Sequence, residues 1–380
     1  MKKKIAYITG TRADFGLMTP VLRAIEQSDQ LELKLFTTGM HLMEEFGNTV
    51  ETVEKLFPQA ERINVSFEND QKWAAAKFTG TFQSLLVGVL KDQVDFVLVL
   101  GDRPEMLSTS LVCLYLGIPI GHIHGGEKTS TVDEVARHAI TKLSSIHFAA
   151  TEESAQRIQE MGEESWRIQV VGAPALDFIL NEELPSKEKL FKKLSLDPNS
   201  KIILVTQHPV SWEINQAAYQ MAETMEAVKS FNLQIVVIYP NADAGGREMI
   251  KVINQEKNKP LFHIFPSLDY RDFLALQRES AVWVGNSSGA LIESASFQLP
   301  VVNVGTRQLG RQRSDNVIDV SYNKSEIVKA IEKSLNDEEY LKKLKGLKNI
   351  WGDGQAAKRI ISVLEELEIG PKLLIKQITY

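Results

Sequence analysis

The sequence predicts an α/β protein with two doubly wound, Rossmann-like domains that face each other across a cleft. Three observations predict this fold. Short runs rich in β-branched residues alternate with helix-length amphipathic segments along most of the chain. One polar stretch with two prolines interrupts this alternation, which then restarts. With 380 residues, the chain is also longer than one ordinary hydrophobic core supports.

The first domain is predicted over residues 1–178. Its strands are expected, in chain order, at KIAYITG, LELKLFTTG, DFVLVLGD and IPIGHIHGG. Its helices are expected at LMTPVLRAIEQS and PEMLSTSLVCLYLG. The strand segments show little polar alternation, which is typical of parallel strands that are buried on both faces.

The second domain is predicted over residues 179–360 and begins with the polar stretch NEELPSKEKLFKKLSLDPNSK, a linker or peripheral helix. Its strands are expected at KIILVTQHP, LQIVVIYPN, AVWVGNSSG and LPVVNVG. Its helices are expected at NQAAYQMAETMEAVKSF, LDYRDFLALQRES and ALIESASFQ. Residues 361–380 are expected to form a helical tail.

Composition narrows the classes of function. The 43 basic and 49 acidic residues give a net charge of −6, which does not favour nucleic acid as a partner. No apolar run approaches the roughly 20 residues of a membrane span, and the start MKKKIAYITG is interpreted as a strand rather than a signal peptide. The single cysteine, Cys113, excludes an intramolecular disulfide and fits a cytoplasmic protein.

Polar segments follow the predicted strands of both domains. Ligands of open α/β sheets bind at the carboxyl ends of strands, so these segments are expected to converge on one cleft. They are TGTRADFG, GDRPE, HIHGGE, TQHPVSWE, YPNADAGG, GNSSG and VGTRQLGRQR.

The segment GNSSGALIESA runs from a strand through small residues into a helix. Ser287, Ser288 and Gly289 would lie at the helix N-terminus, where free N–H groups and the helix dipole favour a phosphate. Alternatively, serine is simply a good N-cap residue. Glu293 would reach a ribose hydroxyl or remain a solvated helix residue.

Arginines recur in the strand-end segments of this acidic protein, and their bidentate geometry favours an anionic ligand, best a diphosphate. They are Arg12, Arg103, Arg307, Arg311 and Arg313. The chain contains no GxGxxG fingerprint and no GxxxxGK[ST] loop, so neither NAD nor ATP is expected and no cofactor is predicted.

Two side chains are candidates for proton transfer. Asp102 follows an apolar strand, where loss of solvation raises a carboxylate pKa toward that of a general base. Alternatively, Asp102 caps the next helix, because Pro104 falls at its start. His208 ends the segment ILVTQHP and is expected to contact a phosphate or donate a proton across the cleft.

His122 and His124 are two residues apart in a predicted strand and would share one face. A zinc site with a third ligand is therefore an alternative. Cysteine partners and an HExxH helix are absent from the sequence, so no metal is predicted.

Taken together, TGTRADFG, GDR, HIHGGE, VDEVARHAITKLS, IYPNADAG, GNSSGALIESA and VNVGTRQLGR resemble the hydrolysing UDP-N-acetylglucosamine 2-epimerases of sialic acid biosynthesis. The resemblance spans about residues 4–320. It implies a glycosyltransferase-B fold, UDP in the interdomain cleft, a homodimer, and no metal or nicotinamide. The implied reaction converts UDP-N-acetylglucosamine to N-acetylmannosamine and UDP through a 2-acetamidoglucal.

By this resemblance Asp102 and Asp133 transfer protons, and His208 is the cleft histidine. Glu127 is either a further acid/base group or a structural partner. The candidate residues for binding UDP are Arg12, Gly16, Arg103, His208, Asn286, Ser287, Ser288, Gly289, Glu293 and Arg307.

One position departs from the family pattern. His124 stands where N-acetylglucosamine-specific relatives have a glutamate, so HIEGGE becomes HIHGGE. Relatives with this histidine include epimerases of the 2,4-diacetamido-2,4,6-trideoxy sugar on the route to legionaminic acid, and this substrate is the alternative. His124 is retained as a catalytic candidate. A retaining glycosyltransferase and a non-catalytic UDP-sugar sensor are the rival functions.

Overall fold

The computed structural model describes residues 2–380, which form two parallel β-sheets with helices packed against them. The first sheet contains the strands β1 Lys3–Thr9, β2 Leu31–Thr37, β3 Glu61–Arg62, β4 Phe96–Leu100, β5 Ile120–Ile123, β6 Ile146–Ala149 and β7 Ile168–Val170. The second contains β8 Ile202–Thr206, β9 Gln234–Ile238, β10 Phe262–Phe265, β11 Val282–Gly285, β12 Val301–Val304 and β13 Val317–Val320. The predicted two-domain α/β fold is confirmed.

The helices of the first half are α1 Arg12–Gln27, α2 Val50–Leu56, α3 Lys72–Leu90, α4 Pro104–Leu116, α5 Val132–Leu143, α6 Glu152–Glu160 and α7 Pro174–Asn181. Those of the second half are α8 Lys187–Leu194, α9 Ala217–Val228, α10 Gly246–Asn254, α11 Tyr270–Glu279, α12 Ser288–Ile292, α13 Lys324–Asn336, α14 Glu338–Leu344, α15 Ala356–Glu366 and α16 Pro371–Leu374. No helix within residues 2–380 is both long and apolar enough to cross a bilayer.

The strand order is β3-β2-β1-β4-β5-β6-β7 in the first sheet and β10-β9-β8-β11-β12-β13 in the second. The order therefore reverses between β1 and β4 in one sheet and between β8 and β11 in the other. Crevices at such switch points are where doubly wound sheets bind ligands. The segments after these four strands carry Arg12, Asp102, His208 and Ser288.

Helix α1 begins five residues before the predicted start at Leu17. Thr11 is its N-cap and Asp14 occupies the third helical position, so that the two side chains form a reciprocal capping box. The Thr11 side chain accepts from the Asp14 amide, and Asp14 accepts from the Thr11 amide. The capping box thus brings Arg12 into the first turn of a helix that starts at the end of β1.

The C-terminal part of the chain packs against the first domain. Helix α15 packs against α1 and α7, and Ala357, Ile360 and Leu364 belong to the hydrophobic core of the first sheet. The predicted domain boundary at residue 360 falls inside this helix. The buried Arg167 fixes the following tail by donating to backbone carbonyls of residues 372, 373 and 375.

Candidate active-site cleft

Two adjoining cavities of about 170 and 180 Å³ lie between the carboxyl ends of the two sheets. The first, here the sugar-side cavity, is lined by Asp102, His124, Asp133 and Arg311 among others. The second, here the nucleotide-side cavity, has the lining residues Arg12, His208, Ser287, Ser288, Gly289 and Glu293. Arg307 lines both cavities, so residues predicted from distant parts of the sequence converge as expected.

Asp102 lies just after β4 and forms an ion pair with the buried Arg137 of α5. Its side chain remains 21% exposed, so one carboxylate is both paired and accessible from the sugar-side cavity. Asp133 lies in the first turn of α5, four residues before Arg137, and accepts from Thr131 Oγ1 at 2.8 Å. Burial, followed by the charge of Asp102, raises the pKa of Asp133. Asp133 is therefore the carboxylate of this cavity whose surroundings favour the protonated form.

His122 and His124 do not form the predicted pair on one strand face. Strand β5 ends at Ile123, and His124 has a left-handed backbone with a φ of +63°. The ring of His122 is buried, and its two nitrogens bond Gly101 O at 2.8 Å and Thr141 Oγ1 at 3.2 Å. Both nitrogens of His122 are thus engaged, which removes the basis of the zinc alternative. Within residues 2–380, no cluster of three or more His, Cys, Asp or Glu side chains is arranged to hold a metal ion.

His124 pairs instead with Glu127, whose carboxylate accepts from Nδ1. The other oxygen of Glu127 accepts from Arg311, which follows β12 in the second half of the chain. Burial opposes the charge of Glu127, but Arg311 and His124 together hold its pKa well below the usual range. The indole ring of Trp351 packs beside both partners, 6.3 Å from the His124 ring and 5.7 Å from the Arg311 guanidinium.

His208 lies after β8 at the nucleotide-side cavity. Its Nδ1 accepts from the Asn241 amide at 3.2 Å, which leaves the Nε2 proton available to a ligand. Desolvation, with the nearby charges of Arg307 and Arg103, lowers the pKa of His208 to about 3. His208 is therefore a neutral hydrogen-bond donor at neutral pH, which suits a phosphate contact better than proton donation.

Asn286 was predicted to contact the ligand, but its side chain is used inside the protein. Its Oδ1 accepts from His208 N at 2.7 Å, and its Nδ2 donates to His208 O at 2.9 Å. Its carbonyl accepts from Arg307 at 3.2 Å and from the side chain of Gln308 at 2.9 Å. Asn286 thus joins the ends of β8 and β11 and positions His208 and Arg307, and it does not line either cavity.

Ser287 is the N-cap of α12, and Ser288 is its first residue. The helix is only five residues long, so its dipole is smaller than the sequence suggested. Ser287 makes no side-chain capping bond, which leaves its hydroxyl free beside the nucleotide-side cavity. Free N–H and O–H groups remain a suitable surface for phosphate oxygens.

Glu293 is buried at the far end of the nucleotide-side cavity. It accepts from Tyr270 Oη at 3.2 Å and from Gln277 Nε2 at 2.5 Å. Burial raises its pKa to about 7.

Gly16 was predicted to bind UDP, but it lies outside both cavities because α1 packs against the Tyr270 ring there. A Cβ at Gly16 would lie 2.5 Å from Tyr270 Cγ, so the residue allows this close approach of the two domains.

Two arginines reach the cavities from the first half of the chain. Arg12 lines the nucleotide-side cavity, and burial lowers its pKa to about 10. Arg103 lines the sugar-side cavity, and its guanidinium donates twice to the buried Glu105, both bonds at 3.2 Å. Both side chains present positive charge where the two cavities meet the end of β1 and the start of α4.

Sequence reasoning missed Arg137, Glu105 and Trp351 as parts of this site. Arg137 had a usable signal, since it lies four residues after Asp133 on the same helical face. The sequence indicates Arg311 as one of the strand-end arginines, and the structure places it in the lining of the sugar-side cavity. Trp351 had no local signal, because only the return of the chain to the first domain brings it beside His124.

Comparison with known proteins identifies the family. A model of the UDP-N-acetylglucosamine 2-epimerase family matches residues 23–365. The chain belongs to this family. It is therefore an enzyme of the UDP-sugar 2-epimerase group, as the resemblance implied.

Three relatives lie at 32–40% identity. The family member is 40% identical to a UDP-N,N'-diacetylbacillosamine 2-epimerase (hydrolyzing) of Legionella pneumophila, over 99% of both chains. It is 32% identical to a GDP/UDP-N,N'-diacetylbacillosamine 2-epimerase (hydrolyzing) of Campylobacter jejuni, over 85% of both chains. It is 34% identical to a UDP-N-acetylglucosamine 2-epimerase of Neisseria meningitidis, over 87% of both chains.

Solved structures share the fold of this epimerase-family chain. A complex of S. aureus MnaA with UDP has a TM-score of 0.79 at 23% identity, over 96% of both chains. A UDP-GlcNAc 2-epimerase from Neisseria meningitidis bound to UDP-GlcNAc has a TM-score of 0.79 at 22% identity, over 95% of this chain and 99% of that one. The glycosyltransferase-B architecture implied by the resemblance is thereby confirmed.

Proposed function

We propose that the protein is a hydrolysing UDP-sugar 2-epimerase whose substrate is the UDP-linked 2,4-diacetamido-2,4,6-trideoxyglucose. The observation that carries the reaction type is the division of the cleft: accessible carboxylates line one cavity, and donors for a diphosphate line the other. Such a division lets one part of the cleft hold UDP while the other acts on the sugar.

The nucleotide-side cavity supplies complementary groups for each part of UDP. Arg12 and Arg307 would bind the diphosphate by charge, and the Nε2–H of His208 and the hydroxyls of Ser287 and Ser288 would donate to its oxygens. Glu293 would accept from the ribose hydroxyls once it is ionised. Cations at the leaving diphosphate lower the barrier to breaking the C1–O bond.

Elimination and hydration then exchange protons with the sugar-side carboxylates. Asp102, paired with Arg137, would remove the C2 proton while the C2–H electrons form the C1=C2 double bond and UDP leaves with the C1–O pair. Asp133, whose pKa is raised, would carry the proton that is returned to C2. Water adds at C1, so that the products are UDP and the C2-inverted free sugar.

The choice of sugar is supported by the relatives and by the lining of the cavity. The diacetylbacillosamine epimerase of Legionella is similar over nearly the whole chain. The sugar-side cavity includes the apolar side chains of Leu17, Leu100 and Ile292. These side chains suit the C6 methyl group of a 6-deoxy sugar better than a hydroxymethyl group, because a buried hydroxyl needs a hydrogen-bond partner.

UDP-N-acetylglucosamine is the competing substrate, since the Neisseria relative bears that name. The test is to measure kcat/KM for both UDP-sugars with the same enzyme. We expect the 2,4-diacetamido-2,4,6-trideoxy sugar to be preferred by about tenfold or more, the scale on which pockets discriminate small groups. Equal values, or a preference for UDP-N-acetylglucosamine, would reject this substrate while leaving the reaction type intact.

The product would be a diacetamido-trideoxymannose, the type of precursor that a nonulosonic acid of the legionaminic kind requires. The rival functions are separable by the same assay. A glycosyltransferase would need an acceptor, and a sensor would bind UDP-sugar without turnover. The homodimer and the cytoplasmic location stay predictions.

A further inference from the structure

The Glu127 carboxylate joins the two domains at the sugar-side cavity. One oxygen accepts from His124 Nδ1 at the end of β5, and the other accepts from Arg311 after β12. Glu127, His124 and Arg311 are all buried, at 2%, 6% and 8% exposure. A single buried carboxylate therefore holds an imidazole of the first domain and a guanidinium of the second.

This arrangement fixes which nitrogen of His124 faces the ligand. Because Nδ1 donates to Glu127, Nε2 is the nitrogen that remains for the sugar-side cavity, which His124 lines. In the neutral ring this nitrogen carries a lone pair and accepts a proton. A carboxylate that orients an imidazole in this way also stabilises the imidazolium formed when the ring takes a proton.

Hydration of the glucal requires such a group. Asp102 holds the proton taken from C2 in the elimination, and Asp133 gives a proton to C2. The attacking water still has to lose a proton as its oxygen bonds to C1. Among the remaining titratable groups that line the sugar-side cavity, Asp14 is engaged in the capping box and by Tyr7. Asp243 of the second domain also lines this cavity, but His124 is the group whose ring a buried carboxylate orients for accepting this proton.

We propose that Glu127 is a positioning residue that presents Nε2 of His124 as the base for water addition, and that its bond to Arg311 makes this positioning depend on domain closure. The inference rests on the proposed function and assigns a residue to its second half-reaction. Water oxygen bonds to C1, one water proton moves to Nε2, the proton of Asp133 bonds to C2, and the C1=C2 double bond is consumed. After turnover the two protons held by Asp102 and His124 restore Asp133 and release one proton to solvent.

The variant Glu127→Gln tests the positioning role. Glutamine has one acceptor oxygen for two donors, so bonding to Arg311 turns its NH₂ toward His124 Nδ1 and places the ring proton on Nε2. We expect formation of the hydrated sugar to fall at least tenfold and UDP release to fall less, so that free glucal accumulates. The KM should stay within threefold, because the nucleotide-side cavity is unchanged.

The matched control is Glu163→Gln. Glu163 is also buried and accepts from a histidine of the same sheet, His147, at 2.9 Å, but that pair lies under the C-terminal tail, outside both cavities. We expect this variant to lower the melting temperature without changing the ratio of glucal to hydrated sugar. The same ratio in both variants would overturn the proposal.

Arg311→Gln tests the dependence on closure and covers the case in which Glu127→Gln does not fold. It should raise the ratio of glucal to hydrated sugar, but by less than Glu127→Gln does. The ¹⁵N spectra of the histidine rings should show a mixture of His124 tautomers. A normal product ratio with an unchanged His124 spectrum would overturn the coupling. If the wild-type enzyme releases no UDP, the proposed function fails, whereas the ring spectrum of Glu127→Gln still decides the positioning role.

Discussion

The two halves of the cleft have the same switch-point topology but carry different kinds of side chain at their strand ends. In the first sheet, the strand ends at the switch point and beside it carry Asp102 and His124, each held by a buried partner. In the second sheet, the corresponding ends carry His208, Ser287 and Ser288, which keep donors free for a ligand. The side chains of the first edge are thus held by buried partners, whereas those of the second edge leave donors unpaired, which is the arrangement that the proposed division between catalysis and binding requires.

Replacing Asp102 is expected to have the largest effect on turnover. In Asp102→Asn the amide cannot take the C2 proton, and we expect kcat to fall by about 10³-fold, within the range for loss of general-base catalysis. The Kd for UDP should remain within threefold, because the nucleotide-side cavity is untouched. Kinetics and calorimetry measure the two effects separately. A parallel loss of UDP affinity would show that the two halves of the cleft do not divide the work as described.

The next prediction concerns Glu293 at the nucleotide-side cavity, where burial of the carboxyl group makes the stability of the protein depend on pH. Its pKa of about 7 lies above the ordinary 4.5, so the folded state binds this proton more tightly than the unfolded state. Stability is therefore highest below pH 4.5 for this group and is lost as the pH rises toward 7. Over that range the loss is up to about 3 kcal/mol, and Glu293→Gln should remove it.

The measurement is urea unfolding at pH 5 and pH 8 for both proteins. The decrease in unfolding free energy between the two pH values should be smaller in Glu293→Gln than in the wild type. Identical pH dependences would mean that Glu293 is ionised in the free protein.

Replacing Arg307 is expected to have a smaller effect, confined mainly to binding. Arg307 lines both cavities, and its Nη2 lies 3.7 Å from Asp133 Oδ2. In Arg307→Gln we expect the Kd for UDP to rise about tenfold, equivalent to about 1.4 kcal/mol. Arg313→Gln is the matched control, since Arg313 pairs with Asp319 outside both cavities. Equal effects of the two changes would remove Arg307 from the diphosphate site.

Local patterns predicted the parts of this site that depend on strand ends. Asp102, His208 and Ser288 follow buried strands, and the parallel topology brings such positions together. Local patterns could not predict the side-chain contacts that depend on tertiary packing. The pattern of HIHGGE predicts that His124 continues the strand. In the structure His124 has a left-handed backbone, and its ring contacts Glu127 instead of lying on the strand face.

Contacts between residues that lie far apart in the sequence were also not predicted. The Glu127–Arg311 pair joins residues 184 positions apart, and Trp351 reaches His124 only because α15 returns to the first domain. Gly16 and Asn286 show a related effect, since both lie in motifs of the site but serve close packing and strand joining. Motif membership predicted the neighbourhood of these residues and not what they touch.

Turnover of UDP-2,4-diacetamido-2,4,6-trideoxyglucose in deuterium oxide decides whether elimination and hydration take place in this cleft. We expect release of UDP together with the C2-inverted free sugar that carries one deuterium at C2, since the proton returned to C2 comes from a solvent-exchangeable carboxyl group. UDP release with the original hydrogen still at C2, or without inversion there, would contradict elimination and hydration in this cleft.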